Sequence, residues 1–299
     1  MKKISYSFLL ITIFALVSCK DSETPATEER KLIFKFKFNP TQERLGGDGQ
    51  PTTMPAGNAG QSPTFNKMCA HYIELAPNAN TLLGAGKIIY FAPEKTMPNN
   101  DKAIDFSKSA LAGECETFFA MPLKDVVGKF DYLRVSLAYQ NYDVQFRVTV
   151  NNQTTDQVGT VASFIGYRTF IENVKVKNQT LSVNDAKLQG FWAFENPLTD
   201  SVTSGQAPQG ATTVPNPLIA TSPIPAGSCV VTGAFLNSNG IATPLQITGN
   251  ETQDVIVEVS LSTNQSFEWK DNNANGKWEP LLNEEVVDMG IRGMKPFWK

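Results

Sequence analysis

The chain predicts an all-β fold, an antiparallel β-sandwich with long irregular loops, on three observations. Several segments alternate apolar and polar residues with period two. Glycine- and proline-rich stretches separate those segments, and no stretch sustains a 3.6-residue apolar period. No internal repeat argues for a propeller or a solenoid.

In chain order, Leu32, Phe34, Phe36 and Phe38 alternate with Ile33, Lys35 and Lys37, which predicts a half-buried strand. Residues 39–62 collect glycines and prolines and read as a long surface loop. Residues 68–75 and 87–92 read as the second and third strands, joined through Gly84-Ala85-Gly86, and residues 103–110 as a short helical turn. Leu133, Val135, Leu137 and Tyr139 are apolar at odd positions, whereas Tyr142, Val144, Phe146 and Val148 are apolar at even ones. A two-residue turn at Gln140-Asn141 would bring both sets to one face, so a hairpin is expected there, with a bent single strand as the alternative. Residues 158–171 read as strand, although their period does not separate strand from helix, and residues 188–195 read as a core strand carrying Phe191, Trp192 and Phe194.

Residues 196–228 hold six prolines, which remove ladder donors; the apolar Val214, Leu218, Ile219 and Ile224 make this segment an expected cover over the fold. Short strands follow at residues 229–235 and 244–248. Residues 254–269 form the longest alternation, with Val255, Val257, Val259, Leu261, Phe267 and Trp269 on one parity, and a bend is expected near Thr263-Asn264 because the run exceeds a usual strand.

The N-terminus reads as an address. Met1-Lys2-Lys3 precedes an apolar run over residues 6–17 that is too short to span a bilayer comfortably, the pattern of a signal peptide. It ends in Leu16-Val17-Ser18-Cys19, which resembles the lipobox of bacterial lipoproteins and implies lipidation at Cys19. Lys20-Asp21-Ser22-Glu23 then resembles the surface-export signal of lipoproteins in Bacteroidetes-type bacteria. The implied organisation is a signal peptide over 1–18, a lipidated flexible tether over 19–30 and one β-sandwich domain over 31–299. The expected location is the outer membrane, lipid-anchored and facing the exterior. With 26 basic and 29 acidic residues and a formal charge of −3, no basic field exists to hold nucleic acid. Among Cys69, Cys115 and Cys229 an oxidising envelope allows one bridge; Cys115 with Cys229 is the expected pair.

No Gly-x-Ser-x-Gly, His-Glu-x-x-His, P-loop or dinucleotide fingerprint is present, and the one histidine, His71, excludes a multi-histidine metal centre. A carboxylate pair distant in sequence stays open as a hydrolytic device, but the expectation is a non-enzymatic protein.

Two metal constellations stand out. Asp271, Asn273 and Asn275 precede Gly276 with the alternate spacing of a calcium loop, in which side chains two apart converge on a hard cation. The Lys277 carbonyl and Glu279 fall at the later ligand places. The closing glutamate is displaced, because Leu282 stands at the twelfth place; an insertion there would let Glu284 or Glu285 close the site with Asp288 behind. The alternative is an Asn-rich turn with no ion. The second constellation is Met68-Cys69-Ala70-His71, where a thiol and an imidazole two apart on a strand could meet a soft metal.

Cys69-Ala70-His71-Tyr72-Ile73-Glu74-Leu75, Gly128-Lys129-Phe130-Asp131-Tyr132-Leu133-Arg134-Val135 and Gly190-Phe191-Trp192-Ala193-Phe194-Glu195 resemble, in order, three landmark strands of the MbnP-like, methanobactin-associated copper-binding β-sandwich family. That resemblance implies a copper site using histidine and a modified tryptophan, for which His71 and Trp192 lie on matching segments. The leading expectation is therefore a surface lipoprotein that carries a structural Ca²⁺ and presents loops to a protein or glycan partner. The alternative is a copper-handling envelope protein.

Overall fold

The structure is a computed structural model that describes residues 29–46, 50–207 and 229–299. The strands are β1 (Lys31–Asn39), β2 (Asn58–Gln61), β3 (Thr64–Ala76), β4 (Lys87–Phe91), β5 (Glu94–Thr96), β6 (Lys102–Asp105), β7 (Thr117–Pro122), β8 (Gly128–Phe130), β9 (Tyr132–Val150) and β10 (Gln153–Phe164). They continue as β11 (Arg168–Lys175), β12 (Thr180–Leu188), β13 (Phe191–Asn196), β14 (Ser201–Gln206), β15 (Cys229–Ala234), β16 (Leu245–Ile247), β17 (Val255–Ser262), β18 (Phe267–Lys270), β19 (Val286–Asp288) and β20 (Met294–Trp298). No α-helix occurs among the described residues; short 3₁₀ turns lie at Phe106–Lys108, Leu123–Val126 and Pro280–Leu282. The signal peptide, Cys19 and most of the tether lie outside the described residues, as do residues 208–228 of the expected cover.

The strands assemble mainly into three larger sheets. One has the order β20-β17-β1-β7; a seven-stranded sheet runs β14-β13-β10-β9-β3-β4 with β15 also on β9; a third runs β12-β11-β6-β5. The period-two pattern of β1 explains the first: Leu32, Phe34, Phe36 and Phe38 are buried in register with Val255, Val257, Val259 and Leu261 of β17. Phe36 stacks on Phe118 of β7 with ring centroids 3.9 Å apart. The same core takes in Ile73 and Leu75 of β3 and Leu133, Val135, Leu137, Tyr142, Val144 and Phe146 of β9, so the first sheet lies on one face of the seven-stranded sheet. On the opposite face Cys69, Ala138, Tyr139, Ala162 and Phe164 share a second core with Ile104, Ile171 and Val174 of the third sheet and with Val176 just after β11. Strands covered on both faces read as near-continuous apolar runs, which is why residues 68–76 and 133–142 are buried without alternation.

The change of apolar parity along residues 133–148 has a different origin from the expected hairpin. Residues 132–150 form one strand. Opposite it, Cys69 pairs with Tyr139 but Ala70 pairs with Leu137, so Ala138 is an extra residue in the ladder. Its carbonyl accepts the N–H groups of both Ile165 and Gly166 at 2.9 Å. One inserted residue shifts the side-chain parity by one and produces the same pattern as a two-residue turn. Strand β3 carries its own extra residues, Asn66 and His71, and its core face moves from Phe65 to Met68 and Ala70, then to Ile73 and Leu75. The hairpin exists further on, where Val150 pairs with Gln153 across Asn151 and Asn152. Both asparagines have positive φ (52° and 61°), the conformation a tight hairpin turn needs and that Asn tolerates.

Other expectations are corrected in detail. Two pairings, β1 with β17 and β6 with β11, are parallel, so the sheets are not wholly antiparallel. Residues 158–171 divide between β10 and β11, and residues 103–110 are the end of β6 and a 3₁₀ turn. The 39–62 stretch contributes β2 as a partner of β18, and β14 pairs with β13 within the proline-rich stretch. The expected bend falls between β17 and β18, where Gln265 has φ 48°. Cys115 is a free, exposed thiol and Cys69 a free, buried one; the side chain of Cys229, the bridge partner expected for Cys115, lies outside what the structure describes.

Deleting Ala138 would send Tyr142, Val144, Phe146 and Val148 to the wrong face. The deletion is expected to abolish cooperative urea unfolding, whereas Ala138→Gly, which keeps the extra residue, should cost only about 1 kcal/mol. A deletion variant unfolding at the parent midpoint would show that the bulge does not set the register.

Candidate metal-binding loop

The reversal after β18 gathers most of the predicted oxygen ligands. The Asp271 carboxylate accepts the backbone N–H of Asn275 at 3.1 Å and of Gly276 at 2.7 Å, which curls the chain back on itself. Gly276 has φ +67°, a conformation glycine takes without steric cost. The tips of Asn273 and Asn275 converge on Glu279: each Nδ2 donates to Glu279 Oε2, at 2.7 and 2.6 Å. Oxygen ligands held 2.3–2.6 Å from a Ca²⁺ ion stand roughly 3 Å apart, close to this spacing. The amide oxygens are turned to backbone donors instead, Asn275 Oδ1 to Lys277 N–H at 2.8 Å and Asn273 Oδ1 to Asn275 N–H at 3.3 Å, so a cation at this point would need each amide to give up that bond and turn over.

Glu284 closes the loop. The 3₁₀ turn Pro280–Leu282 is the insertion that displaces the closing residue; Leu282 points out, while Glu284 is buried and accepts the N–H groups of Asn272 at 3.1 Å and Glu279 at 2.7 Å. Burial pushes the Glu284 carboxyl up from its ordinary value; the two N–H donors oppose that shift, and the charges of Asp271 and Glu279 add to it.

Three predicted positions behave differently. Lys277 turns its ammonium away to Asp156 at 3.5 Å, leaving its backbone as the element in the loop. Glu285 is exposed and contributes its carbonyl to Lys270 N–H at 2.9 Å, so it does not join the loop. Asp288 belongs to a separate buried charge cluster: Arg292 Nη2 bonds Asp288 Oδ2 at 2.8 Å and Glu268 Oε2 at 3.0 Å, and Arg44 also pairs with Glu268. Glu268 lies on the polar parity of its strand, which predicts exposure, yet it is 4% exposed because β2 and the arginines cover it. Arg44, distant in sequence, gave no signal for that cluster.

Met68 and Trp192 are kept apart from Cys69. Met68 packs in the first core and Cys69 in the second, on opposite faces of β3. Trp192 lies on β13, separated from β3 by β10 and β9, which places it about 14 Å away along the sheet, and it packs against the first core. Burial raises the Cys69 thiol to about 12, against the hydrogen bonds from Ser109 and Tyr139, so it stays a thiol near neutral pH. His71 sits at its own bulge. Its Nε2 meets Glu94 Oε1 at 3.1 Å, Tyr167 donates to the same oxygen at 2.9 Å, and the Phe91 ring covers it edge-on at 4.7 Å. The hydrogen bond to His71 holds the Glu94 carboxyl below its usual range. This is the satisfied environment of a packed histidine, apart from Nδ1, which has no partner. Among the described residues no group of three or more His, Cys, Asp or Glu side chains has the arrangement of a metal site, so the loop's donors are a mixture of carboxylates and amides.

No protein-family model, curated protein or solved structure matches this chain.

Brief alkylation of the native protein at pH 8 is expected to label Cys115 and spare Cys69 until denaturant is added, as read by peptide mapping. Equal labelling of both thiols would contradict the burial and protonation described for Cys69.

Proposed function

We propose that this chain is a lipid-anchored envelope lipoprotein, exposed at the outer surface, whose β-sandwich is a non-enzymatic binding module with one structural Ca²⁺ loop. The observation that carries the calcium reading is the convergence of Asp271, Asn273, Asn275, Glu279 and Glu284 around one chain reversal. What the loop holds gives the ion its role. Trp278 is inserted in the first core against Phe267, Phe194 and Phe146, at 4.8, 5.6 and 6.2 Å between ring centroids, and its carbonyl accepts Arg147 N–H at 2.7 Å. An ion that rigidifies residues 271–284 therefore clamps Trp278, β9 and β18 together, acting as a staple and not as a switch. The lipobox ending in Cys19 and the following Lys-Asp-Ser-Glu support the anchored, outward-facing placement.

For the full chain in detergent, saturating calcium is expected to raise the melting temperature by roughly 5 to 10 °C over chelator, the size that tight binding to the native state alone provides. Asp271→Ala should remove that difference. Identical melting in calcium and chelator would reduce the loop to an Asn-rich turn.

A further inference from the structure

A cleft of about 350 Å³ opens between the first bulge of β3 and the end of β11, away from the metal loop. The bulge explains its polar wall. Asn66 is the extra residue between the pairs Phe65–Tyr142 and Lys67–Asn141, and a bulge re-aims the side chain it carries. Asn66 Nδ2 donates to Asn141 Oδ1 and Asp143 Oδ1, both at 3.0 Å, while Asn141 is fixed by Nδ2 bonds to the Val176 carbonyl at 2.8 Å and the Tyr139 hydroxyl at 3.2 Å. The opposite wall is apolar: half-buried Phe106 rests on buried Tyr139 with centroids 4.7 Å apart, next to exposed Leu111.

Three lysines surround this cleft. Lys177 is held by Asp143 Oδ2 at 2.8 Å and lies 3.4 Å from Asn66 Oδ1. Lys67 and Lys175 are exposed and have no side-chain partner among the described residues. In a chain of net charge −3, two unpaired ammonium groups and a third neutralised by Asp143 form a local cationic surplus beside an aromatic wall and oriented amides. A bare inorganic anion has no use for the apolar wall, and a neutral sugar none for the free lysines. A pyranose carrying a carboxylate uses all three features: its C–H face suits Phe106 and Leu111, a hydroxyl can donate to Asn66 Oδ1, the amide atom left with only a 3.4 Å contact to Lys177, and its carboxylate suits Lys67 and Lys175.

We propose that the cleft bounded by Asn66, Phe106, Lys67 and Lys175 binds acidic carbohydrate of the hexuronate class. This rests on the binding-module reading and is independent of calcium.

Titration calorimetry of the full chain in detergent with short oligomers of galacturonate or glucuronate is expected to show binding that weakens with added salt. Their uncharged hexose counterparts should bind at least about tenfold more weakly. The double variant Lys67→Gln/Lys175→Gln should lose the uronate preference by a similar factor while its urea midpoint stays unchanged, since both side chains are exposed. Equal binding of charged and neutral oligomers, an unaffected double variant, inorganic phosphate competing as well as the oligomer, or no uronate binding at all would each overturn the assignment. Binding of neutral glycans alone would overturn it while leaving the binding-module reading intact.

Discussion

The ladder between β3 and β9 is the constraint on which the rest of the molecule depends. Over residues 68–76 and 133–142 both strands are buried on both faces, so each must present apolar side chains to the sheet β20-β17-β1-β7 on one side and to β12-β11-β6-β5 on the other. A strand with perfect period two can do this only if every residue is apolar. Here the extra residues Ala138, Asn66 and His71 shift the parity along the pair, so that large side chains change faces where the covering sheets change. Buried polar groups on the same strands are then satisfied locally. Glu74 accepts from Tyr72 at 3.1 Å and from the Gly86 N–H at 2.6 Å, and Arg134 reaches the carbonyls of Thr81 and Leu82 at 2.6 and 3.2 Å, which ties the β3–β4 turn to the ladder. An unpaired charge at either place would cost several kcal/mol, so the turn is part of the frame.

What the sequence made legible follows from this geometry. Strands covered on one face were readable because period two is a direct image of one-sided burial: β1 and β17 are the clear cases, down to the break at Thr263–Gln265. Residues 133–148 announced their change of parity but not its cause, since a bulge and a two-residue turn shift parity identically. The turn chemistry lay at Asn151-Asn152 and was the discriminating signal. Strands such as β12 and β14, short of large apolar side chains and lying at sheet edges, left little pattern to read.

The candidate site divides in the same way. The convergence of Asp271, Asn273, Asn275 and Glu279 was legible because the loop is local in sequence, and Glu284 returns to it after the Pro280–Leu282 turn. Asp288 was misplaced because it is held by Arg292, itself bonded to Glu268, and Glu268 and its other partner Arg44 come from distant segments. Met68 and Cys69 cannot share an ion because neighbours on a strand face opposite ways, while His71, the partner expected for Cys69, is an extra residue in the ladder and bonds Glu94. The cleft beside Asn66 had no sequence signature, since its lysines, amides and aromatic wall are assembled by a bulge and a crossing strand.

Under the proposed calcium reading a rigid double-faced frame carries an ion-stapled loop, and amide hydrogen exchange of the full chain in calcium and in chelator tests that division most directly. That reading predicts that the amides of β3 and β9 are the slowest in both conditions, whereas residues 271–284 are slow only in calcium. Exchange over 271–284 that is the same in both conditions, or a β3–β9 ladder that exchanges faster than the surrounding sheets, would contradict it.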